Sequence, residues 1–353
     1  MNICASGKVL SVLLFLLFTL WIFAPAVWAQ PNPERAQAQA QRERTQPGNN
    51  APFWKDVQAG RIGSTQIENI EAGSLISTAG QTWRALHEGP VRFWGAVWLI
   101  AVIVAILLFY LIVGPMRLHE PETRRRIWRF AAWERAVHWT VTISFIILAA
   151  TGLTLYFGKY YVAMLLSYPL YSWVAKLFVS LHNFTAPIFA VSLVLMFLAF
   201  LRRNAWRPHD WLWLRRGGGF ISKHDPGSGF FNAGEKLWFW IGVTLLGLVM
   251  IVSGAVLLFP VYNQTRAVLS TADVVHVIGA LAFIGAAFGH IYSGTIGVRG
   301  AYRSMRRGWV DETWAKEHHR FWYDDLRAGR AQEASDAPLL AAHAKPEVPR
   351  PAP

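Results

Sequence analysis

Four histidines lie within long apolar stretches of this sequence, where an ionisable side chain is costly to bury. They are His138, His182, His276 and His290. A histidine kept at such a depth usually has a function, because imidazole can bind a metal ion or carry a proton. Any one of them could simply hydrogen-bond a neighbouring carbonyl group, so the interpretation depends on all four together.

The elements that must position these histidines are five uncharged apolar runs, each 21 to 25 residues long. Each run can cross a hydrocarbon layer of about 30 Å as a helix. Hydrophobic residues make up 54% of the 353 residues and charged residues only 16%, which excludes an ordinary soluble enzyme and a disordered chain. The net charge is +13, and the basic residues cluster beside the runs. This pattern indicates membrane topology and argues against nucleic-acid binding. The runs cover residues 94–114, 136–157, 177–201, 237–259 and 274–298.

The sequence before the first run is typical of an exported segment. Residues 1–29 combine a lysine, an apolar run and a small-residue ending, which predicts a cleavable signal peptide, with an uncleaved signal anchor as the alternative. Residues 30–92 are expected to form a small periplasmic segment, in which the Pro-, Gln- and Arg-rich residues 30–50 are flexible. Because the only cysteine, Cys4, lies in the leader, the mature chain would have no disulfide and no thiolate ligand.

The lysine and arginine content of the loops predicts the orientation. Residues 115–135 and 202–237 carry six and seven of these residues, whereas residues 158–175 and 260–271 carry one each. Positively charged loops stay in the cytoplasm. The chain is therefore expected in the bacterial inner membrane, with its mature N-terminus in the periplasm and its C-terminus in the cytoplasm.

This topology sorts the four histidines into two pairs at two depths. His276 and His290 are 14 residues apart, so on a helix they share nearly one face and lie about 21 Å apart along the axis. His182 is expected beside His276 on the periplasmic side, and His138 beside His290 on the cytoplasmic side. Pairs of neutral imidazoles, with no acidic residue nearby except Asp273, suit iron in a planar macrocycle better than zinc, which takes four ligands.

From residue 133 to the tail, roughly 60% of the chain, the sequence resembles the cytochrome b (gamma) subunits of membrane-bound respiratory formate dehydrogenases. The motif before the fourth run and the histidine-containing motif of the tail are the most specific parts. The four histidines alone are shared with hydrogenase and thiosulfate-reductase cytochromes. The matching pieces are Glu134-Arg135-Ala136-Val137-His138-Trp139-Thr140, Leu181-His182, Phe231-Asn232-Ala233-Gly234-Glu235-Lys236, Val275-His276, Gly289-His290-Ile291-Tyr292 and Trp314-Ala315-Lys316-Glu317-His318-His319.

The resemblance implies an all-α membrane protein. Residues 116–300 would form a four-helix bundle that holds two haem b groups, with an extra N-terminal span at residues 93–115 and a cytoplasmic tail at residues 301–353. The axial ligands would be His138, His182, His276 and His290, paired as the topology pairs them.

The resemblance also implies a site for menaquinone or ubiquinone beside the cytoplasmic-side haem. This site would involve His290 and the turn that contains Asn232 and Gly234, with Glu235 as a candidate proton donor. The chain itself would have no catalytic residues. It would pass electrons from a periplasmic catalytic (alpha) subunit and an iron–sulfur (beta) subunit across the membrane to quinone, in contact with membrane lipid and without nucleic acid.

Two alternatives stay open at this point. The chain could be the cytochrome b subunit of a hydrogenase or another molybdoenzyme, or a membrane anchor or transporter with no redox role. The remaining histidines, including His318 and His319, are expected in solvated or interfacial positions. The tryptophans near the ends of the runs, such as Trp213 and Trp238, are expected to form an interfacial belt.

Overall fold

A computed structural model describes residues 33–46, 51–59, 61, 63–64, 66, 74–76, 78–220, 225–260 and 264–334. The predicted signal peptide and the end of the tail lie outside these residues. The chain divides into two compact units. The first unit contains Met1–Trp98 and Phe259–Ile278, and the second contains Leu99–Leu258 and Gly279–Pro353.

Helices dominate the part of the chain that the structure describes. The α-helices are α1 Pro33–Thr45, α2 Ala51–Gln58, α3 Thr78–Leu86, α4 Arg92–Val113, α5 Ala132–Phe157, α6 Val162–Leu166, α7 Tyr168–Phe200, α8 Pro208–Arg215, α9 Ala233–Leu237, α10 Gly247–Leu258, α11 Arg266–Tyr292, α12 Ala301–Arg307, α13 Glu312–His318 and α14 Arg320–Arg327. The strands are β1 Gly63–Ser64, β2 Ser74–Ile76, β3 Arg126–Trp128 and β4 Trp309–Asp311. Wider π-helical turns cover His87–Val91, Trp238–Leu246 and Ser293–Gly297, and tighter 3₁₀ turns cover Leu201–Asn204 and Gly217–Gly219.

Five of the described helical stretches are long and apolar enough to cross a membrane, as predicted. The protein is therefore an all-α, multi-pass membrane protein. The stretches are span 1 Gly80–Val113, span 2 Ala132–Phe157, span 3 Tyr168–Asn204, span 4 Ala233–Leu258 and span 5 Arg266–Gly297.

Spans 2 to 5 begin four to nine residues before the corresponding apolar runs. The start of span 2 shows why. Glu134 accepts a hydrogen bond from the N–H of Ala131 at 2.9 Å, and its other oxygen lies 2.7 Å from Arg203. Because these contacts compensate a charge in the first turn, the helix can begin before the apolar run starts.

The segment predicted to be flexible differs from the expectation, because residues Pro33–Thr45 form α1. Its composition explains the difference. Alanine, glutamine, glutamate and arginine all have high helix propensity, and Pro33 occupies the first helical position, where proline is tolerated.

The core of the second unit draws on four spans. Val141 of span 2, Leu193 of span 3, Val243 of span 4 and Phe283 of span 5 all belong to one buried cluster. Phe283 also packs its ring 4.9 Å from that of Phe145 in span 2. Apolar residues from all four spans therefore meet within this unit, in the four-helix arrangement that the sequence predicted.

One end of the second unit is closed by residues 116–131 together with residues 301–334, which we call the end cap. Its strand β3 pairs antiparallel with β4, with Ile127 opposite Val310. Trp314 and Trp322 pack with these strands in a second buried cluster. The segment expected to be a separate tail is thus folded, as far as residue 334, against the chain that precedes span 2.

Candidate functional site

Spans 2 and 5 bring two of the four predicted ligands together within the second unit. The ring centroids of His138 and His290 are 6.4 Å apart, and their planes are inclined by 55°. Bonds between imidazole nitrogen and a metal ion are about 2 Å long. The separation therefore accommodates one metal ion between the two rings, bound by one nitrogen of each.

Neighbouring side chains orient both rings. Thr142 Oγ1 donates to the carbonyl oxygen of His138 at 2.8 Å and lies 3.5 Å from His138 Nδ1. Because the hydroxyl hydrogen is used on the carbonyl, the hydroxyl oxygen can only accept from Nδ1–H, and Nε2 is left with a lone pair for a metal. The ring of His290 stacks on Trp238 at 4.7 Å with an interplanar angle of 8°.

His182 is oriented in the same way, but by a residue of another helix. Thr151 Oγ1 donates to the carbonyl oxygen of Ile147 at 2.7 Å and lies 2.9 Å from His182 Nδ1. The hydroxyl oxygen can accept from Nδ1–H of His182, which places the lone pair of the ring on Nε2. A Cβ atom at Gly152 would lie 3.3 Å from His182 Cε1, so the glycine leaves space for the imidazole ring.

His276 lies in the part of α11 that belongs to the first unit, three residues after Asp273. Asp273 accepts a hydrogen bond from Trp83 Nε1 at 2.6 Å and lies 3.4 Å from His87 Nε2. The rings of Trp83 and His87 stack at 4.8 Å. The contacts of Asp273 thus join α11 to the beginning of span 1 within the first unit. The pairing of His276 with His182 stays a prediction.

A cavity of about 360 Å³ in the second unit has His290 in its wall. The wall also contains the turn residues Asn232 and Gly234, which were predicted to form a quinone site with His290. Small-molecule sites in proteins are typically concave, mostly apolar and of about this volume or larger. The structure therefore brings these three predicted site residues to one cavity.

The turn is held by a reciprocal helix cap. Asn232 Oδ1 accepts from the N–H of Glu235 at 2.9 Å, and Glu235 Oε2 accepts from the N–H of Asn232 at 2.8 Å. The Nδ2 group of Asn232 donates to no residue that the structure describes, so it is available to an acceptor in the cavity. A Cβ atom at Gly234 would lie 3.0 Å from the indole of Trp213, which explains the glycine.

Glu235 has a second contact that bears on its predicted role as a proton donor. Its two oxygens lie 3.3 Å and 3.4 Å from Arg129 Nη2, and Arg129 also donates to the carbonyl oxygen of Phe230 at 2.6 Å. Burial lowers the pKa of Arg129, and the carboxylate of Glu235 opposes this shift. The cap and the ion pair therefore indicate that Glu235 positions the turn, rather than that it donates protons.

The prediction for His318 and His319 is wrong. Both residues are buried, with exposed fractions of 5% and 1%, and both line the cavity. The reason is the folding of the end cap, which packs them against Trp314. Trp213 and Trp238, expected in an interfacial belt, also lie in the cavity wall. The histidine motif of the tail was the sequence signal for this part of the cavity wall, beside the motif that contains Asn232.

The family known as prokaryotic cytochrome b561 matches residues 129–308, just over half of the chain. The chain belongs to this family. It is therefore a membrane cytochrome b, and the family implies haem b as its cofactor. The paired imidazoles of His138 and His290 fit this group, because b-type haem iron is held by histidine nitrogen.

Several curated proteins are similar to this chain. The formate dehydrogenase cytochrome b556(fdo) subunit of Escherichia coli strain K12 is 28% identical over 222 residues, which cover 60% of this chain and 99% of that protein. The nitrate-inducible cytochrome b556(Fdn) subunit of the same strain is 27% identical over 214 residues, with 58% and 93% covered. The formate dehydrogenase cytochrome b556 subunit of Haemophilus influenzae is 25% identical over 223 residues, with 61% and 89% covered.

Proposed function

We propose that this protein is the dihaem cytochrome b subunit of a membrane-bound formate dehydrogenase and that it transfers electrons across the bacterial inner membrane to a quinone. The observation that carries the proposal is the ring pair of His138 and His290 beside a cavity that Asn232 and Gly234 also line. The relatives named as formate dehydrogenase subunits favour this assignment over a hydrogenase cytochrome. A transporter would leave the paired histidines unexplained.

The proposed axial ligands are His138 with His290 and His182 with His276. Haem b bound at these residues supplies one-electron transfer. The two threonine hydroxyls favour the tautomer with the hydrogen on Nδ1, so Nε2 of His138 and of His182 would bind the iron. With two histidine ligands on each iron, the haems would give low-spin spectra and carry out no oxygen chemistry.

The cavity beside His290 is the proposed quinone site. Asn232 Nδ2 can donate a hydrogen bond to a quinone carbonyl oxygen, while Asn232 Oδ1 remains in the helix cap. The indoles of Trp213 and Trp238 give the wall large flat apolar surfaces, which suit a quinone ring. Menaquinone and ubiquinone both have the ring and the carbonyl oxygens that this wall would recognise.

The proposed organisation follows the predicted topology. Residues 1–29 are a signal peptide, residues 30–92 lie in the periplasm and residues 93–115 form an extra span. The bundle of residues 116–300 carries the haems, and residues 301–353 face the cytoplasm. The partners are a periplasmic catalytic (alpha) subunit that oxidises formate and an iron–sulfur (beta) subunit that passes on its electrons.

Membrane lipid is the proposed neighbour of the outward faces of the spans. Large apolar side chains are exposed along them, with exposed fractions of 82% at Ile112, 80% at Phe184 and 61% at Leu198. Contact with acyl chains would remove this surface from water, as it does for other spanning helices.

The proposal is tested on membranes that contain the full chain and its partners. A pyridine haemochrome assay should find two haem b per chain, and formate should reduce both in an optical difference spectrum. Hydrogen gas should not reduce them. Absence of haem b from the chain would contradict the cytochrome, and reduction by hydrogen in place of formate would contradict the choice of enzyme.

A further inference from the structure

The cavity wall contains a buried histidine whose nitrogens have no hydrogen bonds. The side chain of His318 is 6% exposed, and neither Nδ1 nor Nε2 is hydrogen-bonded to a residue that the structure describes. A buried polar group in this state usually has a ligand, a water molecule or a chemical role. Because His318 lines the same cavity as Asn232 and His290, a ligand of that cavity is its available partner.

A buried carboxylate lies next to this imidazole. Asp225 Oδ2 is 3.6 Å from His318 Nδ1, and the side chain of Asp225 is also 6% exposed. Its other oxygen accepts from the N–H of Gly227 at 2.9 Å, which holds the carboxylate in place. The imidazole of His318 and the carboxylate of Asp225 are therefore adjacent buried groups in the wall of one cavity.

The adjacent histidine has a different role. His319 Nδ1 donates to the carbonyl oxygen of Gly229 at 2.7 Å, and Ser228 Oγ lies 3.1 Å from the same nitrogen. Burial, with a smaller contribution from the charge of Arg129, lowers the pKa of His319 well below its ordinary value. His319 is therefore a neutral anchor of the end cap, and the proton-carrying role falls to His318.

The other charged groups near the cavity form hydrogen bonds or ion pairs with protein residues. Glu235 is shared between the helix cap and Arg129. Lys236 and Asp210 form a buried pair at 2.7 Å and do not belong to the described cavity wall. Asp225 is thus the acidic group of the wall that is paired with an imidazole.

We infer that His318, paired with Asp225, supplies protons to the quinone in this cavity; the inference rests on the proposed function. Reduction of a quinone to a quinol takes two electrons and two protons. The electrons come from formate through the partner subunits. For each proton, an N–H bond of His318 breaks and an O–H bond forms on a quinone oxygen. Asp225 stabilises the imidazolium of His318 before the transfer. A proton from the aqueous side then protonates His318 again.

The first test compares variants of the full chain in the membrane-bound complex. His318→Gln keeps a polar side chain but cannot carry the proton, so kcat for formate-to-quinone turnover should fall about 100-fold, within the range for loss of a general acid. The KM for quinone should change less than about twofold, because Asn232 and not His318 donates the hydrogen bond to the quinone carbonyl oxygen. Asp225→Asn should lower kcat less than His318→Gln does, and Asp225→Glu should restore it.

His119→Gln is the matched control. His119 lies in the end cap outside the cavity wall, where its Nδ1 is 3.2 Å from Glu317. The control removes a histidine from the same face of the fold and should leave turnover at the wild-type rate. A wild-type rate in His318→Gln would overturn the inference.

Rescue separates a proton donor from a packing residue. With His318 replaced, protons must come from the buffer, so turnover of His318→Gln should rise with added imidazole at fixed pH, whereas the wild-type rate should not. A fluorescent hydroxyquinoline N-oxide, used as a quinone analogue, should bind both proteins with similar Kd. Weakened analogue binding without rescue by imidazole would overturn the inference and identify His318 as structural.

Haem reduction distinguishes failure of the inference from failure of the proposed function. Formate should reduce the haem of wild type and of His318→Gln to the same extent. If formate reduces neither, the proposed function is wrong. If formate reduces both and the variant still turns over quinone normally, the proposed function stands and only the role of His318 is wrong.

Discussion

The second unit contains two histidine environments that differ in what surrounds the ring. His182 is held by a 2.9 Å contact with Thr151 and fits against Gly152. His290 instead stacks on Trp238 and lies in the wall of a cavity that polar residues also line. On the proposed function, the first environment holds a ligand in place and the second also admits a substrate. On this proposal, two similar histidine positions differ in function through the residues around them alone.

Replacing a ligand on the cavity side should have the largest effect. His290→Ala removes one ring of the 6.4 Å pair, so one of the two haems should be lost and quinone turnover should stop. His182→Ala should also lose one haem, but the cavity wall stays intact and binding of a quinone analogue should persist. Pyridine haemochrome content and analogue Kd measure the two effects. Retention of both haems in His290→Ala would contradict the ligand assignment.

The hydroxyl contacts give a smaller and graded effect. Thr151→Val removes a hydroxyl acceptor next to His182 Nδ1, and loss of such an outer partner typically costs about 10–100-fold in metal affinity. Thr142→Val should cost less, because its 3.5 Å contact with His138 is at the limit of a hydrogen bond. The less basic imidazole of Thr151→Val should also raise the midpoint potential of its haem.

Haem retention during detergent washing and a redox titration of each variant measure these shifts. A serine at either position keeps the hydroxyl and is the matched control. Equal effects of the two valine variants would show that the threonine contacts at His138 and His182 hold the two rings equally well.

Asn232 separates capping from recognition on the cavity side, with the smallest expected effect. Asn232→Ser keeps a capping oxygen but has no amide donor, so the KM for quinone should rise about fivefold, as for one net hydrogen bond of about 1 kcal/mol. Asn232→Ala should show the same KM as Asn232→Ser. Its free energy of unfolding should be about 1 kcal/mol lower than that of Asn232→Ser, because the helix cap is removed. Steady-state kinetics and thermal melts of the complex measure the two quantities. Loss of haem in either variant would instead assign Asn232 to the fold of the bundle.

Much of the site could be predicted from local sequence. The five spans and the four histidines within them follow from hydropathy and spacing, which need no knowledge of distant contacts. The turn with Asn232 was predicted from the family resemblance and lies in the cavity wall. The helix ends were less predictable. Charged residues such as Glu134 extend the helices beyond the apolar runs when they find partners, and those partners lie elsewhere in the chain.

The sequence was sufficient to predict that this chain spans a membrane and carries histidines within its spans, since the length and polarity of each run decide whether it can cross a bilayer. The tautomer of His182 depends on tertiary contacts, because Thr151 reaches its Nδ1 from another helix. The tertiary structure also decided that His318 is buried beside Asp225 in a cavity wall, although both residues lie in polar sequence. Burial of a polar residue depends on packing between segments far apart in the chain, and no local pattern reports that packing.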